Sequence, residues 1–435
     1  MSKTNKRPLQ PRISRFWPFR RTYYGWAVVS AGMFSAFATV PTQGPIVGLF
    51  NQPIREDLGW KATDIAIAFV IGSVGGGFLS SIVGRILDRR GPRMVAVIAG
   101  IIIAASMVGI AGMQEPWHWW VLFGIARATA ASGAQLATMV GLASWFVRKR
   151  GRVVGLLGVG QRGGQFLMPL PLVGIMLLTS WREAWLVLAA VVIVLQVLPS
   201  AVLYRRRPED YGLLPDGERV DDDESLAERS TTVEVSWTLG QAKKTRTLWL
   251  LILAQGGVIL SLNATNLSAA AHLQDQGLSL AQAAMVTMIF GGASMATVLP
   301  WGLALEHVHV RYLGLVATSS LVGAMMLLLI ADTFVLAALF GLVYGISIGS
   351  WTVVSRMLFA NYFGRRHFGS IRGFAAPIMA LANPLGPLLA GHLRDTRGEF
   401  DLAFVFFACV FVISFIAFLL AVPPKKAPDP RVPTL

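Results

Sequence analysis

The chain has 435 residues, 54% hydrophobic and 14% charged, with a formal net charge of +15 and a single cysteine, Cys409. Soluble domains carry charge on roughly a quarter of their residues, and here the positive charge sits in short clusters between apolar runs. That distribution excludes a nucleic-acid groove as the reason for the basic balance, and one cysteine excludes an internal disulfide or a cysteine-built metal site.

In chain order, residues 1–23 form a basic tail containing Lys3, Lys6, Arg7, Arg12, Arg15, Arg20 and Arg21. The apolar run behind it is too long for a signal-peptide core and reads as a retained first helix. Apolar runs long enough to cross a hydrocarbon core of roughly 30 Å predict helices over 24–50, 62–87, 92–113, 117–147, 151–178 and 182–204. Residues 205–245 read as a solvated linker with the acidic run Asp221, Asp222, Asp223 and Glu224, and its end, Val235 to Lys244, suits a short helix at the membrane surface. Six more helices are predicted over 246–272, 279–305, 310–331, 333–360, 367–392 and 399–422, before a tail over 423–435. The expected fold is an all-α membrane protein with twelve transmembrane helices in two six-helix bundles, 24–204 and 246–422.

An even number of spans puts both termini on one side. The clusters Arg85, Arg89, Arg90 and Arg93, then Arg148, Lys149, Arg150 and Arg152, then Arg205, Arg206 and Arg207, then Arg365 and Arg366 all fall on that side. The other side holds Arg55, Lys61, Arg182, Arg394 and Arg397. The positive side faces the cytoplasm, so both termini are expected there, in a multi-pass protein of the bacterial inner membrane. Trp117, Trp119 and Trp120 open the fourth helix at the outer interface, where amphipathic rings settle.

The two bundles repeat each other. At an offset of 218 residues, Asp57 and Gly59 match Asp275 and Gly277; Gly84, Asp88 and Arg93 match Gly302, Glu306 and Arg311; Gly151, Gly155 and Pro169 match Gly369, Gly373 and Pro387. Parallel repeats about an axis along the membrane normal are a secondary-transporter architecture, with the substrate site between the halves near the midplane.

The stretch Gly84-Arg-Ile-Leu-Asp88-Arg-Arg-Gly91-Pro-Arg93 resembles the signature loop between helices 2 and 3 of the major facilitator superfamily. Tyr24-Gly25-Trp26, Trp145-Phe146, Trp181-Arg182, the linker segment Arg207 to Gly217 and Tyr362 to Gly369 resemble its monocarboxylate-transporter-like and oxalate–formate-exchanger-like branch. The resemblance implies that Gly84, Asp88 and Arg93, with Glu306 and Arg311 in the second half, act in gating. Asp88 and Glu306 would latch the outward-facing state, and the arginines would pair with them or with lipid phosphate. It also implies that helices 3, 6, 9 and 12 lie against lipid. Gly155, Gly164 and Pro169 are near an exchanger pattern, although Met168 stands where that pattern wants glycine; packing through small residues accounts for them.

Charge inside the spans points to the substrate. A central arginine costs about 2.5–3.5 kcal/mol on insertion scales, and Arg127 and Arg162 each lie about ten residues, roughly 15 Å, into their helices. Arg356 and Arg372 are nearer helix ends and within reach of the interface, so they are secondary candidates. Gln135 and Gln165 share faces with Arg127 and Arg162, while Asn263, Tyr344, Ser347 and Asn383 add polar positions on helices 7, 10 and 11. No aspartate or glutamate lies deep in a span. Buried positive charge without buried negative charge suits an anion, and arginine holds a carboxylate by two parallel hydrogen bonds. The reading is a secondary transporter of a small mono- or dicarboxylate, as proton symport or anion exchange. The arginines either bind substrate or brace helices. The acid–arginine pair that animal-type monocarboxylate carriers have in helix 8 is missing over 283–305, which counts against their proton coupling.

No nucleotide loop, nucleophile–histidine set or metal cluster is apparent, so neither an enzyme nor a bound cofactor is expected. The expected partners are the organic anion, protons and membrane lipids, with the protein as a monomer. The alternatives are an exporter of amphipathic drugs or metabolites and, from another class, a non-transporting sensor on the same scaffold.

Overall fold

The computed structural model describes residues 23–146, 149–205, 208–211, 213, 237–364 and 368–424. The tails, the acidic run at 221–224 and Arg148, Arg206, Arg207, Arg365 and Arg366 lie outside these, as do the side chains of Asp88, Arg150 and Glu306.

The protein is all-α and multi-pass. Among the described residues, nine helices are long and apolar enough to cross a membrane. The three remaining expected spans, 24–50, 117–147 and 151–178, are each assembled from shorter pieces. The first is α1 (Gly25–Ala38) and α2 (Gly44–Leu58), separated by a 3₁₀ turn over Val40–Thr42. Pro41 and Pro45 mark the break: neither has an amide hydrogen to donate, so each suits the first turn of a new helical element and not the interior of a continuous one. Gln43 is extended there, with φ −107° and ψ 152°.

Helix α3 (Ala62–Arg90) leads through Gly91 and Pro92 to α4 (Pro92–Ala111). The fourth span is α5 (Pro116–Thr129), a π-helical turn over Ala130–Gln135, and α6 (Leu136–Trp145). The fifth is α7 (Arg150–Leu167) and α8 (Pro169–Leu178), divided at Pro169. Then come α9 (Trp181–Val192), a π turn over Ile193–Val197, and α10 (Leu198–Leu203). The end of the linker forms the short α11 (Leu239–Lys243), capped by Thr238. The second set is more continuous: α12 (Arg246–Asp275), α13 (Leu280–His307), α14 (Val310–Leu329), α15 (Phe334–Phe363), α16 (Phe368–Arg397) and α17 (Asp401–Leu420). Gly59 and Gly277, the pair matched by the internal offset, follow α2 and α12 with φ of +69° and +93°, a region closed to most side chains.

The buried apolar side chains separate into one cluster drawn mainly from 237–421 and two drawn mainly from 24–204. The few residues that cross over, Leu49, Ala62 and Val173 in one direction and Leu267 in the other, mark where the two groups of helices meet. Backbones touch there. A Cβ on Gly48 would stand 2.8 Å from the Leu267 carbonyl oxygen, one on Gly291 2.7 Å from the Gln165 carbonyl carbon, and one on Gly391 3.0 Å from the Thr63 Cα. At the opposite end of the helices, Cβ atoms on Gly84, Gly155, Gly158, Gly302 and Gly373 would meet nothing within 4 Å. The groups are therefore sealed at one end and parted at the other. Gly84 of the signature-like loop faces open space in this arrangement. The tryptophans also divide: Trp117 is exposed, whereas Trp119 is buried and donates to the Ile65 carbonyl, and Trp120 donates to that of Asp64, tying α5 to α3.

Candidate functional site

Between the groups lies a cavity of about 300 Å³. Its floor is made by Thr42, Gln43, Ser73 and Arg127, and its wall runs toward the open end past Thr138, Val154 and Arg356.

The break between α1 and α2 shapes that floor. The Thr42 carbonyl precedes the first turn of α2, and Arg127 Nη1 donates to it at 2.6 Å. Arg127 Nε donates to Ser73 Oγ at 2.9 Å, and the guanidinium lies 3.4 Å from the Phe69 ring centroid. Phe69, Gly72 and Ser73 occupy one face of α3 at helical spacing. A Cβ on Gly72 would come within 2.7 Å of the Arg127 Cβ, so glycine makes room for the side chain. Among the described residues Nη2 has no hydrogen bond, and it is accessible from the cavity. Arg127 is thus braced on two nitrogens and available on the third. The π turn begins three residues after it, and such turns recur at functional sites.

Arg162 is placed differently. Its Nη1 donates to Gln165 Oε1 at 2.8 Å and its Nη2 to Thr352 Oγ1 on α15 at 3.2 Å, a bond between the two groups of helices. Gln165 Nε2 and Gln161 Nε2 both donate to Gln43 Oε1, at 3.0 and 3.1 Å. A chain of amides therefore joins the cavity wall at Gln43 and Gln161 to Arg162 behind it.

Of the other residues singled out by sequence, Gln135, Asn383 and Arg356 line the same cavity as Arg127. The buried Asn383 Oδ1 has no partner among the described residues. Tyr344 lies apart, donating to Asn266 Oδ1 at 3.0 Å beside a small cleft of about 20 Å³. Ser347 is fully buried and Asn263 half-buried, and each donates to a carbonyl one turn earlier in its own helix, Val343 and Ile259. Arg372 and Arg93 are exposed on the open-end parts of α16 and α4. Arg311 Nη2 donates to the Leu419 carbonyl, holding α14 to α17. Sequence reasoning passed over Gln43, Gln161, Thr42, Ser73 and Thr352. Gln161 stands one turn before Gln165 on the Arg162 face, so its spacing was legible. Gln43 was concealed inside a segment read as continuous helix, although the Pro41–Pro45 spacing signals the break. Among the described residues, no lining side chain of the cavity is a carboxylate, and no cluster of three or more metal-ligating side chains occurs.

A family model described as Major Facilitator Superfamily matches residues 26–262 and 253–434. The chain belongs to the Major Facilitator Superfamily. It is accordingly a secondary transporter of small molecules, a transport protein and not an enzyme. A probable L-galactonate transporter of Escherichia coli K12 is 24% identical over 406 residues, 88% of this chain and 85% of the relative. A glycerol-3-phosphate transporter of Bacillus subtilis is 25% identical over 38% of each chain, and human monocarboxylate transporter 14 is 24% identical over 39% of this chain and 33% of its own. These relatives favour no single branch. Among solved structures, the nucleoside transporter NupG superposes with TM-score 0.69 at 12% identity over 91% of this chain and 98% of its own. A bacterial homologue of the human lysosomal transporter Spinster, in an inward-facing and unoccupied conformation, gives 0.68 at 13% identity over 92% and 97%.

Proposed function

We propose that this superfamily member carries a small organic anion, a hydroxyl-bearing mono- or dicarboxylate, by alternating movement of two halves, residues 24–204 and 246–422. The observation that carries the reading is Arg127: a guanidinium fixed by Ser73 and the Thr42 carbonyl, with one nitrogen bare toward a cavity whose described lining holds a second arginine and no acid. A bare nitrogen on a fixed, partly desolvated guanidinium gains most from a carboxylate. The rest of the lining, Ser35, Thr39, Gln43, Gln135, Thr138, Gln161 and Asn383, offers uncharged donors and acceptors. Such groups match hydroxyls better than alkyl chains, because an apolar substrate would leave those without an intramolecular partner, such as the Asn383 Oδ1, unpaired. Three relatives are named for L-galactonate, glycerol-3-phosphate and monocarboxylate transport, which supports an anion.

In this reading Arg127 binds the carboxylate, Arg356 draws it in from the open end, and Arg162 with Gln165 steadies the wall. Without a lining acid among the described residues, the proton travels on the substrate or the protein exchanges one anion for another. The arginine-rich loops support a cytoplasmic position for both termini in a bacterial inner membrane, and in that orientation the parted end faces inward.

The test is uptake into proteoliposomes of labelled organic acids, with and without a pH gradient and with unlabelled anion inside. Saturable uptake of a hydroxy acid is expected, lost in Arg127→Ala and slowed in Arg162→Ala. If no acid moves, or Arg127→Ala transports normally, the anion reading fails and export of neutral amphipathic compounds takes its place.

A further inference from the structure

The sealed end is held by a contact that the signature loop does not supply. Asp395, near the C-terminus of α16, reaches across to the first turn of α3 in the other group of helices. One carboxylate oxygen accepts from the Ala62 amide at 2.9 Å; the other accepts from the Thr63 amide at 2.9 Å and from the Thr63 hydroxyl. The first amides of a helix have no partner within it and carry the positive end of its dipole, so a carboxylate satisfies both needs at once. The neighbouring arginine is not free to compete: Arg394 holds Asp275 through Nε and Nη2 at 2.9 and 3.2 Å. Gly391, one turn before Asp395, abuts the Thr63 backbone, and that close approach brings the carboxylate within reach. Arg55, from the end of α2, sits among Asp275, Asp395 and Arg394, adding a cation of the first group to the acids of the second.

We propose that Asp395 is a gating residue of the transport cycle, capping α3 across the joint and holding this end shut until the two groups rock apart. Its position suits a contact that must break on every cycle. Asp395 is exposed and Thr63 half-buried, so on opening both the carboxylate and the freed amides pass to water and no buried charge is stranded.

The test reads conformation and needs no substrate. Spin labels at Trp117→Cys and Asp332→Cys, two exposed positions at the sealed end of the two groups, are introduced on a Cys409→Ala background. Their distance distribution is measured in the full chain in lipid nanodiscs. Asp395→Asn is expected to raise the ratio of long to short distances about ten-fold, and Thr63→Val, which removes one of the three donors, about three-fold. In the double variant the two effects fall short of additive, because they act on one contact. An unchanged distribution in Asp395→Asn, or full additivity, overturns the proposal. If Asp395→Asn does not fold, Thr63→Val decides: a three-fold rise supports the latch and an unchanged ratio overturns it.

Discussion

Arg127 combines two nitrogens fixed by its own fold with a third that reaches the cavity. It lies roughly 15 Å into its span, too deep to snorkel, and two of its nitrogens meet the Thr42 carbonyl and Ser73. Those bonds offset part of the cost of a central charge and fix the direction of the third nitrogen. Arg162 makes its bonds to Gln165 and Thr352, so its charge serves the joint more than the cavity. Outside the spans, Asp57 accepts from Arg182 at 2.5 Å and from Trp181 at 3.1 Å, and the Arg182 hydrogen bond holds its carboxyl below the usual range. A lowered folded-state pKa makes the contribution fully present above the unfolded value of about 3.9 and lost as pH falls through the folded value. Both partners are partly exposed, so the pair contributes at most about 1 kcal/mol. Asp57→Asn should therefore melt slightly below the wild type at pH 7, with the two curves converging in acid. A constant gap in melting temperature across that range would contradict the assignment.

Among the elements, α2 is positioned by the break before it and by the glycines it carries. The proline pair ends α1 and releases the Thr42 carbonyl, and Gly44 and Gly48 then let α2 lie against the backbone of α12 at Asn266 and Leu267. A side chain at either glycine would meet main-chain atoms that cannot step aside. Gly48→Val should part α2 from α12 and raise the open population of the sealed end, in the same direction as Asp395→Asn. Spin-label distances or cysteine accessibility at that end would report it; an unaltered population would mean that the helices have room to spare. Two of the segments that depart from regular helix in the first group, α1–α2 and α5–α6, carry Thr42, Gln43, Arg127 and Gln135 to the cavity.

At the scale of the whole molecule the two ends oppose each other. The sequence resemblance assigns Asp88 and Glu306 to a latch at the end that is parted here, and the geometry assigns Asp395 to the end that is sealed. The two sites should then pull the equilibrium in opposite directions: Asp88→Asn toward the state described here, Asp395→Asn away from it, and the double variant between them. The same pair of spin labels measures all three, and a shift of both single variants in one direction would refute opposed latches.

The apolar helical segments, the short helix before α12 and the superfamily were legible in the sequence, because a hydrocarbon solvent forces backbone hydrogen bonds inside each segment and writes span and loop as apolar run and basic cluster. Even Pro41, Pro45 and Gln161 carried readable signals. What tertiary structure alone decided was which polar residues meet. Arg127 and Arg162 have the same depth and the same expected chemistry, yet one faces the cavity and the other the joint. Tyr344 and Ser347 lie on a polar stripe that turns away from the cavity. Asp395, distant from α3 by more than 330 residues, becomes its cap. Periodicity within a helix fixes a residue's angle around its own axis. The rotation of that helix against its neighbours comes from packing between segments far apart in the chain, which no single helix encodes.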